Sequence, residues 1–350
     1  MKSTVVKALS MKLLSWQALL VLLFELSSVL SLQTESYSIL MPNVAPKKPE
    51  TYLCTPVRVD PTTKHYVVGF SPNATMNVAH HMLLFGCTTP GSSEEVWDCG
   101  EMATSRQQGL KRASACSKGS QIIYAWARDA PDLALPEDVA FEVGGESKIQ
   151  YLVLQVHYAD VSAFENGHTD ESGVALHYTD EPQPKAAGVF LLGTNGYIAG
   201  KTTEYMETAC GINENKIMHP FAFRTHTHSL GRVVSGYRVR RDHRGVDEWT
   251  LIGKKNPMKP QMFYPVSNNL TVVKGDVLAA RCTMVSDRSR ITKVGPTNED
   301  EMCNFYVMYW VEGSQPLNQK YCFTMGPPFY YWDRGFPFLN NIPSKDASSI

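Results

Sequence analysis

The sequence predicts an all-β protein of the sandwich class. Short segments rich in Val, Ile, Tyr or Phe recur along the chain, each bounded by Gly, Pro, Asn or Asp. The 24 glycines and 21 prolines supply the many turns that such a fold requires. We find neither an amphipathic helix of ordinary length nor a tandem repeat. The predicted strands include His65–Phe70, Ile149–Tyr158, Val189–Leu192, Val233–Arg240 and Asn304–Val311.

Length and charge bound the function class. The 350 residues are enough for two domains, each with its own core. A formal net charge of −1 gives no reason to expect nucleic acid as a partner. The charge balance is otherwise uninformative about the substrate.

The N-terminus has the pattern of a secretory signal. Three lysines precede an apolar stretch from Leu13 to Phe24, which Glu25 interrupts. A membrane anchor needs about 20 apolar residues, and this stretch is too short. We therefore interpret residues 1–34 as a signal peptide and expect a secreted protein without a membrane anchor in its mature form.

The cysteine count supports an oxidising compartment. An even number of cysteines behind a secretory signal is typical of disulfides, and none here forms a CxxC pair. They fall into two groups, with a proline-rich junction at Glu181–Pro184 between them, which suggests two separately cross-linked halves. The sequons at Asn73 and Asn269 are candidate glycosylation sites. The eight cysteines are Cys54, Cys87, Cys99, Cys116, Cys210, Cys282, Cys303 and Cys322.

Two histidine motifs are candidates for metal binding. On a strand, His226 and His228 would project from the same face and converge on one ion. The adjacent pair His80 and His81 would point to opposite faces, so joint ligation there requires a bulge or the use of different ring nitrogens. Either pair alone also fits ordinary exposed or hydrogen-bonded histidines.

The residues leave the metal open. His157 lies in a predicted apolar strand and, considered alone, fits a core histidine as well as a ligand. Imidazole suits zinc, copper, iron or nickel, whereas a thioether among the ligands would favour Cu(I). With 14 methionines in the chain, composition does not single one out.

Several longer motifs resemble the peptidylglycine α-hydroxylating monooxygenase family. The resemblance runs from about Tyr37 to about Cys322, in one order and with compatible spacing. The segments that carry it are His80–Cys87, Tyr124–Arg128, Leu154–Tyr158, His226–His228, Val234–Val239, Trp249–Gly253, Gly275–Cys282 and Asp300–Asn304.

The resemblance implies a fold and two copper ions. It implies two jelly-roll-like antiparallel β-sandwich domains, residues 37–182 and 183–345, that face each other across an open, solvent-filled cleft. It assigns an electron-transfer copper to the first domain and the catalytic copper, where oxygen reacts, to the second. The ligands implied for the two coppers are, respectively, His80, His81 and His157, and then His226, His228 and Met302.

The resemblance also implies a substrate and a reaction. Arg224 matches the arginine that binds the carboxylate of a glycine-extended peptide, a role suited to a guanidinium. Asn304 and Tyr306 match residues that hold the peptide end, and Gln155 is a weaker candidate in the cleft. Oxygen and two electrons from ascorbate would place a hydroxyl on the Cα of the terminal glycine. This is the first step of peptide amidation in secretory granules.

Further implications concern partners and disulfides. The sequence leaves no room for the lyase that many family members carry, so a stand-alone hydroxylase working with a separate lyase is expected. One alternative is a dopamine β-monooxygenase-like hydroxylase, whose substrate would not require Arg224. Another is a non-catalytic copper-binding protein. The implied disulfides are Cys54 with Cys99, Cys87 with Cys116, Cys210 with Cys322, and Cys282 with Cys303. The sequence does not predict a conformation for the basic segment between Cys99 and Cys116.

Overall fold

A computed structural model describes residues 32–100, 110–297, 299–313 and 315–350. Most of the expected signal peptide, and much of the segment between Cys99 and Cys116, lie outside the described residues. The chain divides into two units, Met1–Thr34 and Glu35–Ile350, and the following description concerns the second unit. No helix within the described ranges has the length and hydropathy to span a bilayer.

Twelve strands are present among the described residues of the first half of this unit. A short 3₁₀ helix, Ser162–Phe164, precedes the last of them. The strands are β1 Glu35–Leu40, β2 Thr51–Arg58, β3 Lys64–Asn73, β4 His81–Cys87, β5 Thr89–Pro90, β6 Trp97–Asp98, β7 Cys116–Lys118, β8 Gln121–Ala127, β9 Leu133–Ala134, β10 Val139–Gly144, β11 Tyr151–Tyr158 and β12 Gly173–Thr179.

Eleven described strands and a short C-terminal helix, α1 Ser344–Ala347, form the second half. The strands are β13 Lys185–Thr194, β14 Tyr197–Ile198, β15 Thr203–Gly211, β16 His219–His226, β17 Gly231–Arg241, β18 Asp247–Lys255, β19 Tyr264–Pro265, β20 Val277–Val285, β21 Thr292–Lys293, β22 Asn304–Glu312 and β23 Tyr321–Thr324.

The strand content confirms the predicted all-β class. All five strands predicted from local pattern are present, with each end within four residues of the expected one, because alternating β-branched and aromatic residues favour pleated backbone packed on one face. Antiparallel pairing dominates, as in β2–β11–β4–β8 of the first half and β15–β20–β17–β18 of the second. Each of these two sheets packs against the large sheet that runs through both halves.

One large sheet connects the halves. Its order is β1-β12-β3-β10-β13-β22-β16-β19, with β9 on β3 and β23 on β13. The link between the halves is a short parallel pairing in which Val139 and Ala140 face Lys185 and Ala186. The large sheet is therefore continuous through both halves.

The hydrophobic core also crosses between the halves. Leu84, Trp126 and Leu154 of the first half belong to the same buried cluster as Leu191 and Met308 of the second. Burial of apolar surface contributes about 25 cal/mol per Å², so contact between the halves is favoured. A shared core therefore joins the halves on one side of the cavity between them.

The four disulfides lie within the halves and pair the cysteines as the family resemblance implied. Their Cα–Cα separations of 5.4–5.8 Å suit cross-linking without backbone distortion. The bonds are Cys54–Cys99, Cys87–Cys116, Cys210–Cys322 and Cys282–Cys303.

A C-terminal segment, residues 326–350, packs on the outer face of the β15–β20–β17–β18 sheet. Trp332 is completely buried there, and its backbone and indole N–H groups donate to Glu207 and to the carbonyl of Thr208. Arg281 forms a buried ion pair with Glu207 and contacts the Trp332 ring at 4.6 Å. These contacts cover a sheet face that would otherwise expose aromatic side chains to water.

Candidate metal centre

Three histidines of the first half converge on one point. His81 begins β4 and is the register partner of His157 on β11. His80 precedes the strand, and its backbone N–H donates to the carbonyl of His157. The Nδ1 atom of His81 lies 3.3 Å from Nδ1 of His80 and 3.4 Å from Nδ1 of His157. Three nitrogens bound at about 2.0 Å to one ion would be separated by about 3.3–3.5 Å, so this donor set fits a metal.

The position of His80 explains how two adjacent histidines can face one ion. Neighbouring residues on a regular strand point to opposite faces, so joint ligation by His80 and His81 was expected to require a bulge or the use of different ring nitrogens. Instead β4 begins only at His81, so the backbone at His80 is free of the strand geometry. Both histidines therefore use the same nitrogen, Nδ1, toward the common point.

Burial keeps these imidazoles neutral. It lowers the pKa of His80 to about 4, and it lowers the pKa of His81 and of His157, with mutual repulsion among the rings adding to the effect for His80 and His81. A neutral imidazole has a free lone pair on one nitrogen, which is the form that binds a metal.

Glu50 and Tyr52 orient His157 from behind. The Nε2 atom of His157 lies 2.9 Å from a carboxylate oxygen of Glu50, so an Nε2–H donor leaves Nδ1 free for the ion. The Tyr52 ring stacks on His157 with centroids 4.0 Å apart, and its hydroxyl donates to the carbonyl of Pro296 in the other half. Sequence reasoning missed both residues.

We predict that Glu50→Ala weakens Cu(I) binding by the three-histidine set by about 10- to 100-fold, because His157 loses the partner that fixes its tautomer. Competition with a Cu(I) chelator of known affinity measures this change. Glu146→Ala, at an exposed carboxylate of the same half, is the control. Equal affinities for both variants would contradict an orienting role for Glu50.

The second histidine pair lies where β16 ends. His226 is the last residue of the strand and His228 is two residues beyond it, so the expectation that both belong to one strand face is wrong. Their rings are still close, with centroids 5.6 Å apart and planes at 83°. The turn after β16 brings the two rings together at a steep angle, whereas on a continuous strand the two side chains would project in the same direction.

In each ring of this pair, Nδ1 has a hydrogen-bond partner and Nε2 is left to bind another group. Nδ1 of His226 lies 2.6 Å from Oε1 of Gln261, and Nδ1 of His228 lies 3.3 Å from the carbonyl oxygen of Asp300. In both rings Nδ1–H is thus the donor and Nε2 carries the lone pair. Nε2 of His228 is buried and has no hydrogen-bond partner among the described residues. A buried unpartnered acceptor of this kind fits a metal ligand.

Glu301 ties the segment of Met302 to that of His228. Its side chain is completely buried and accepts the backbone N–H of His228, of Leu230 at 2.7 Å and of Met302 at 2.8 Å. Met302 is 7% exposed, and its sulfur accepts a weak bond from the Asn304 amide at 3.9 Å. The backbone of Met302 is therefore held next to that of His228 by a carboxylate that sequence reasoning did not identify.

Arg224 lies on the same strand face as His226. Gln261 contacts both residues, since its carbonyl accepts from Nε of Arg224 at 2.7 Å. Arg224 is 2% exposed and its guanidinium lies 5.1 Å from the ring centroid of Tyr306, its register partner on β22. Burial lowers the pKa of Arg224. No ion pair within the described ranges involves this cation.

A cavity of about 410 Å³ lies between the halves. Its polar lining brings together Gln155 from the first half with Met302, Asn304 and Tyr306 from the second, which places four of the residues singled out from the sequence around one space. Aromatic and aliphatic side chains also line it. They include Phe85, Ile122, Leu191, Tyr321 and Phe323.

The two histidine sets are neighbours in this structure. The rings of His81 and His226 are 5.8 Å apart between centroids, and they are 4% and 5% exposed. This contact lies between the two halves. It follows from the shared core, which draws the ends of β4 and β16 together.

Two family models match the chain. Residues 37–165 match the N-terminal domain of copper type II ascorbate-dependent monooxygenases, and residues 185–335 match the C-terminal domain. Together the matches span both histidine sets. The chain belongs to the copper type II ascorbate-dependent monooxygenase family. Copper and ascorbate belong to the description of that family, and neutral imidazoles with a thioether are donors that suit copper.

Named relatives of the monooxygenase agree with that assignment. The chain is 42% identical over 306 residues to peptidyl-glycine alpha-amidating monooxygenase B of Xenopus laevis, covering 87% of this chain and 33% of the relative. Identity to peptidylglycine alpha-amidating monooxygenase of Rattus norvegicus is also 42%, covering 87% and 29%. DBH-like monooxygenase protein 1 of Homo sapiens is 26% identical, covering 82% and 49%. The chain thus spans about a third of the length of the amidating monooxygenases it matches.

Proposed function

We propose that this monooxygenase hydroxylates the Cα of the C-terminal glycine of a peptide, giving a peptidyl-α-hydroxyglycine. The observation that carries the proposal is Arg224, a buried guanidinium without a carboxylate partner among the described residues, beside His226. Burying an unpaired charge is costly, so a buried cation is normally paired with an anion. The carboxylate of a glycine-extended peptide would be that anion. The relatives named for peptidylglycine amidation support this choice of substrate.

The proposed ligands follow the two donor sets. His80, His81 and His157 would hold the electron-transfer copper, and His226, His228 and Met302 would hold the copper at which oxygen reacts. When bound, copper supplies one-electron chemistry toward oxygen, and the soft sulfur of Met302 favours its reduced state. Glu301 and Gln261 keep the second set of donors in place.

The cavity would receive the end of the peptide. Asn304 and Tyr306 are the register partners of His226 and Arg224, so the two strands place their side chains beside the proposed reacting glycine. Tyr124 of the first half, outside the lining of this cavity, has a buried hydroxyl without a partner among the described residues. Burial raises the pKa of Tyr124, and the nearby charge of Arg224 opposes that rise. A carboxylate at Arg224 would give both groups an acceptor.

We predict that Arg224→Ala raises KM for a glycine-extended peptide by about 10- to 100-fold, since it removes a charge-assisted bond of about 1.5–3 kcal/mol. Steady-state kinetics on peptides with a free carboxylate, and on the same peptides with that carboxylate amidated, measure the effect. Arg224→Lys keeps the charge and should fall between. An unchanged KM for the free-carboxylate peptide would remove Arg224 from the substrate site.

Mass spectrometry of a short glycine-terminated peptide, incubated with copper, ascorbate and the protein, tests the activity itself. A gain of one oxygen, without loss of the glyoxylate unit, would support a hydroxylase that relies on a separate lyase. Hydroxylation of a phenethylamine instead would favour the dopamine-type alternative. Copper uptake with neither product would favour a non-catalytic copper-binding protein.

We also propose the secretory pathway, including secretory granules, as the location. Four disulfides fit an oxidising compartment. Asn73 and Asn269 are both exposed, which is compatible with their glycosylation. The signal peptide, the domain bounds 37–182 and 183–345, and the absence of a membrane anchor in the mature form remain predictions. Peptide substrates and a separate lyase are the partners that this location would supply.

A further inference from the structure

A second cavity, of about 270 Å³, touches both histidine sets. We call it the histidine cavity. It is separate from the larger cavity around Met302, and the two share no lining residue. The lining residues are His80, Ala127, Arg128, His226, Thr227, His228, Ser229, Met258 and Gln261.

Arg128 is the cation of this cavity. Arg128 directly follows Ala127, the last residue of β8. Because Ala127 is the register partner of His81, the backbone of Arg128 lies one residue beyond the position paired with the three-histidine set. Arg128 and His80 both line the histidine cavity. The described residues offer Arg128 neither an ion pair nor a side-chain hydrogen bond, and its side chain is only partly exposed.

The backbone holds Arg128 in an unusual turn. Arg128 and Asp129 have φ values of +56° and +52°, a left-handed conformation that costs free energy in residues other than glycine. The carboxylate of Asp129 is turned away to accept the backbone N–H of Met76 at 2.8 Å. The neighbouring anion is thus occupied elsewhere, and the guanidinium is left for another partner.

We propose that the histidine cavity is the docking site of the reductant and that Arg128 binds the ascorbate anion there. A guanidinium recognises a planar anion through paired N–H donors. A molecule in this cavity lies against imidazoles of both histidine sets. The peptide would occupy the other cavity, so reductant and substrate do not compete.

The electron balance is simple. Each ascorbate monoanion gives one electron to one copper(II), which becomes copper(I), and its proton passes to solvent. An ascorbyl radical anion leaves, and a second ascorbate reduces the second copper. This inference rests on the two proposed copper sites but is independent of the peptide as substrate.

Reduction of the copper-loaded protein without peptide tests the site. Under anaerobic conditions, loss of the Cu(II) electron paramagnetic resonance signal is followed at increasing ascorbate concentrations. We expect the rate to saturate, and Arg128→Ala to raise the half-saturating concentration about tenfold, as for loss of one charge-assisted bond. Arg128→Lys should lie between, and Arg58→Ala, which removes an exposed arginine far along β2, should match the parent protein.

An uncharged reductant separates docking from an altered copper. Hydroquinone should reduce Arg128→Ala as fast as the parent protein. An unchanged half-saturation for ascorbate in Arg128→Ala, or an equal loss with hydroquinone, would overturn the proposal.

Calorimetric titration of the copper-free protein with ascorbate gives a readout that needs neither metal nor turnover. Weaker binding by Arg128→Ala than by Arg58→Ala supports the site, and equal binding overturns it. A failure to hydroxylate any glycine peptide would sink the proposed function and leave both of these results unaffected.

Discussion

Met302→Ala is expected to reduce turnover of a glycine-extended peptide by more than about a hundredfold while leaving the fold intact. Even residues that only support a metal ligand are worth 10- to 100-fold, and here the proposed ligand itself is removed. The side chain is 7% exposed at the edge of a cavity, so its loss creates little new void in the core. Steady-state kinetics and thermal unfolding measure the two parts of this prediction.

Met302→Leu distinguishes ligation from packing. Leucine keeps nearly the same volume and normally costs less than about 1.5 kcal/mol in such an exchange, but it has no sulfur for copper. We expect this variant to be as inactive as Met302→Ala, with Cu(I) bound more weakly at the second set. Met325→Ala, at a methionine that is 64% exposed, should be fully active. Near-normal turnover by Met302→Leu would remove the sulfur from the ligand set.

Glu301→Ala is expected to destabilise the protein by about 3–5 kcal/mol and to loosen the second donor set. Three backbone donors, the N–H groups of His228, Leu230 and Met302, would lose their acceptor inside the protein. Each unsatisfied buried donor costs about 1–3 kcal/mol, and partial relaxation offsets part of the sum. Denaturant unfolding of the copper-free protein measures the stability, and the copper content after dialysis measures the site.

The neighbouring Glu299 provides a matched control. Its side chain is 85% exposed and pairs with Arg290 at the surface. Such pairs contribute about 0–1 kcal/mol, so Glu299→Ala should unfold like the parent protein and retain copper. If Glu301→Ala were as stable as Glu299→Ala, the carboxylate would not be the element that holds His228 and Met302 together.

The metal donors show which parts of the site can be predicted from local sequence. His81 and His157 were found from motifs, and strand pairing brought them into register. The groups that orient the donors were missed, because Glu50 is 107 residues from His157 and Glu301 is 73 residues from His228 along the chain. Carboxylates at such separations carry no local signal of their partners.

The sequence by itself determined the all-β class, the division of the cysteines into two groups and the family. Each of these follows from residue type and spacing along the chain, through side-chain alternation on strands, turn residues and motif order. Local periodicity also located the principal strands to within a few residues.

Only the tertiary structure decided how the halves meet. Sheet pairing between Val139–Ala140 and Lys185–Ala186, and one core shared across the halves, place His81 beside His226. Likewise, the end of β16 at His226 and the start of β4 at His81 set the directions of the imidazoles. Contacts between distant segments depend on the burial and hydrogen bonding of the whole fold, and these cannot be predicted from residues that are neighbours in the sequence.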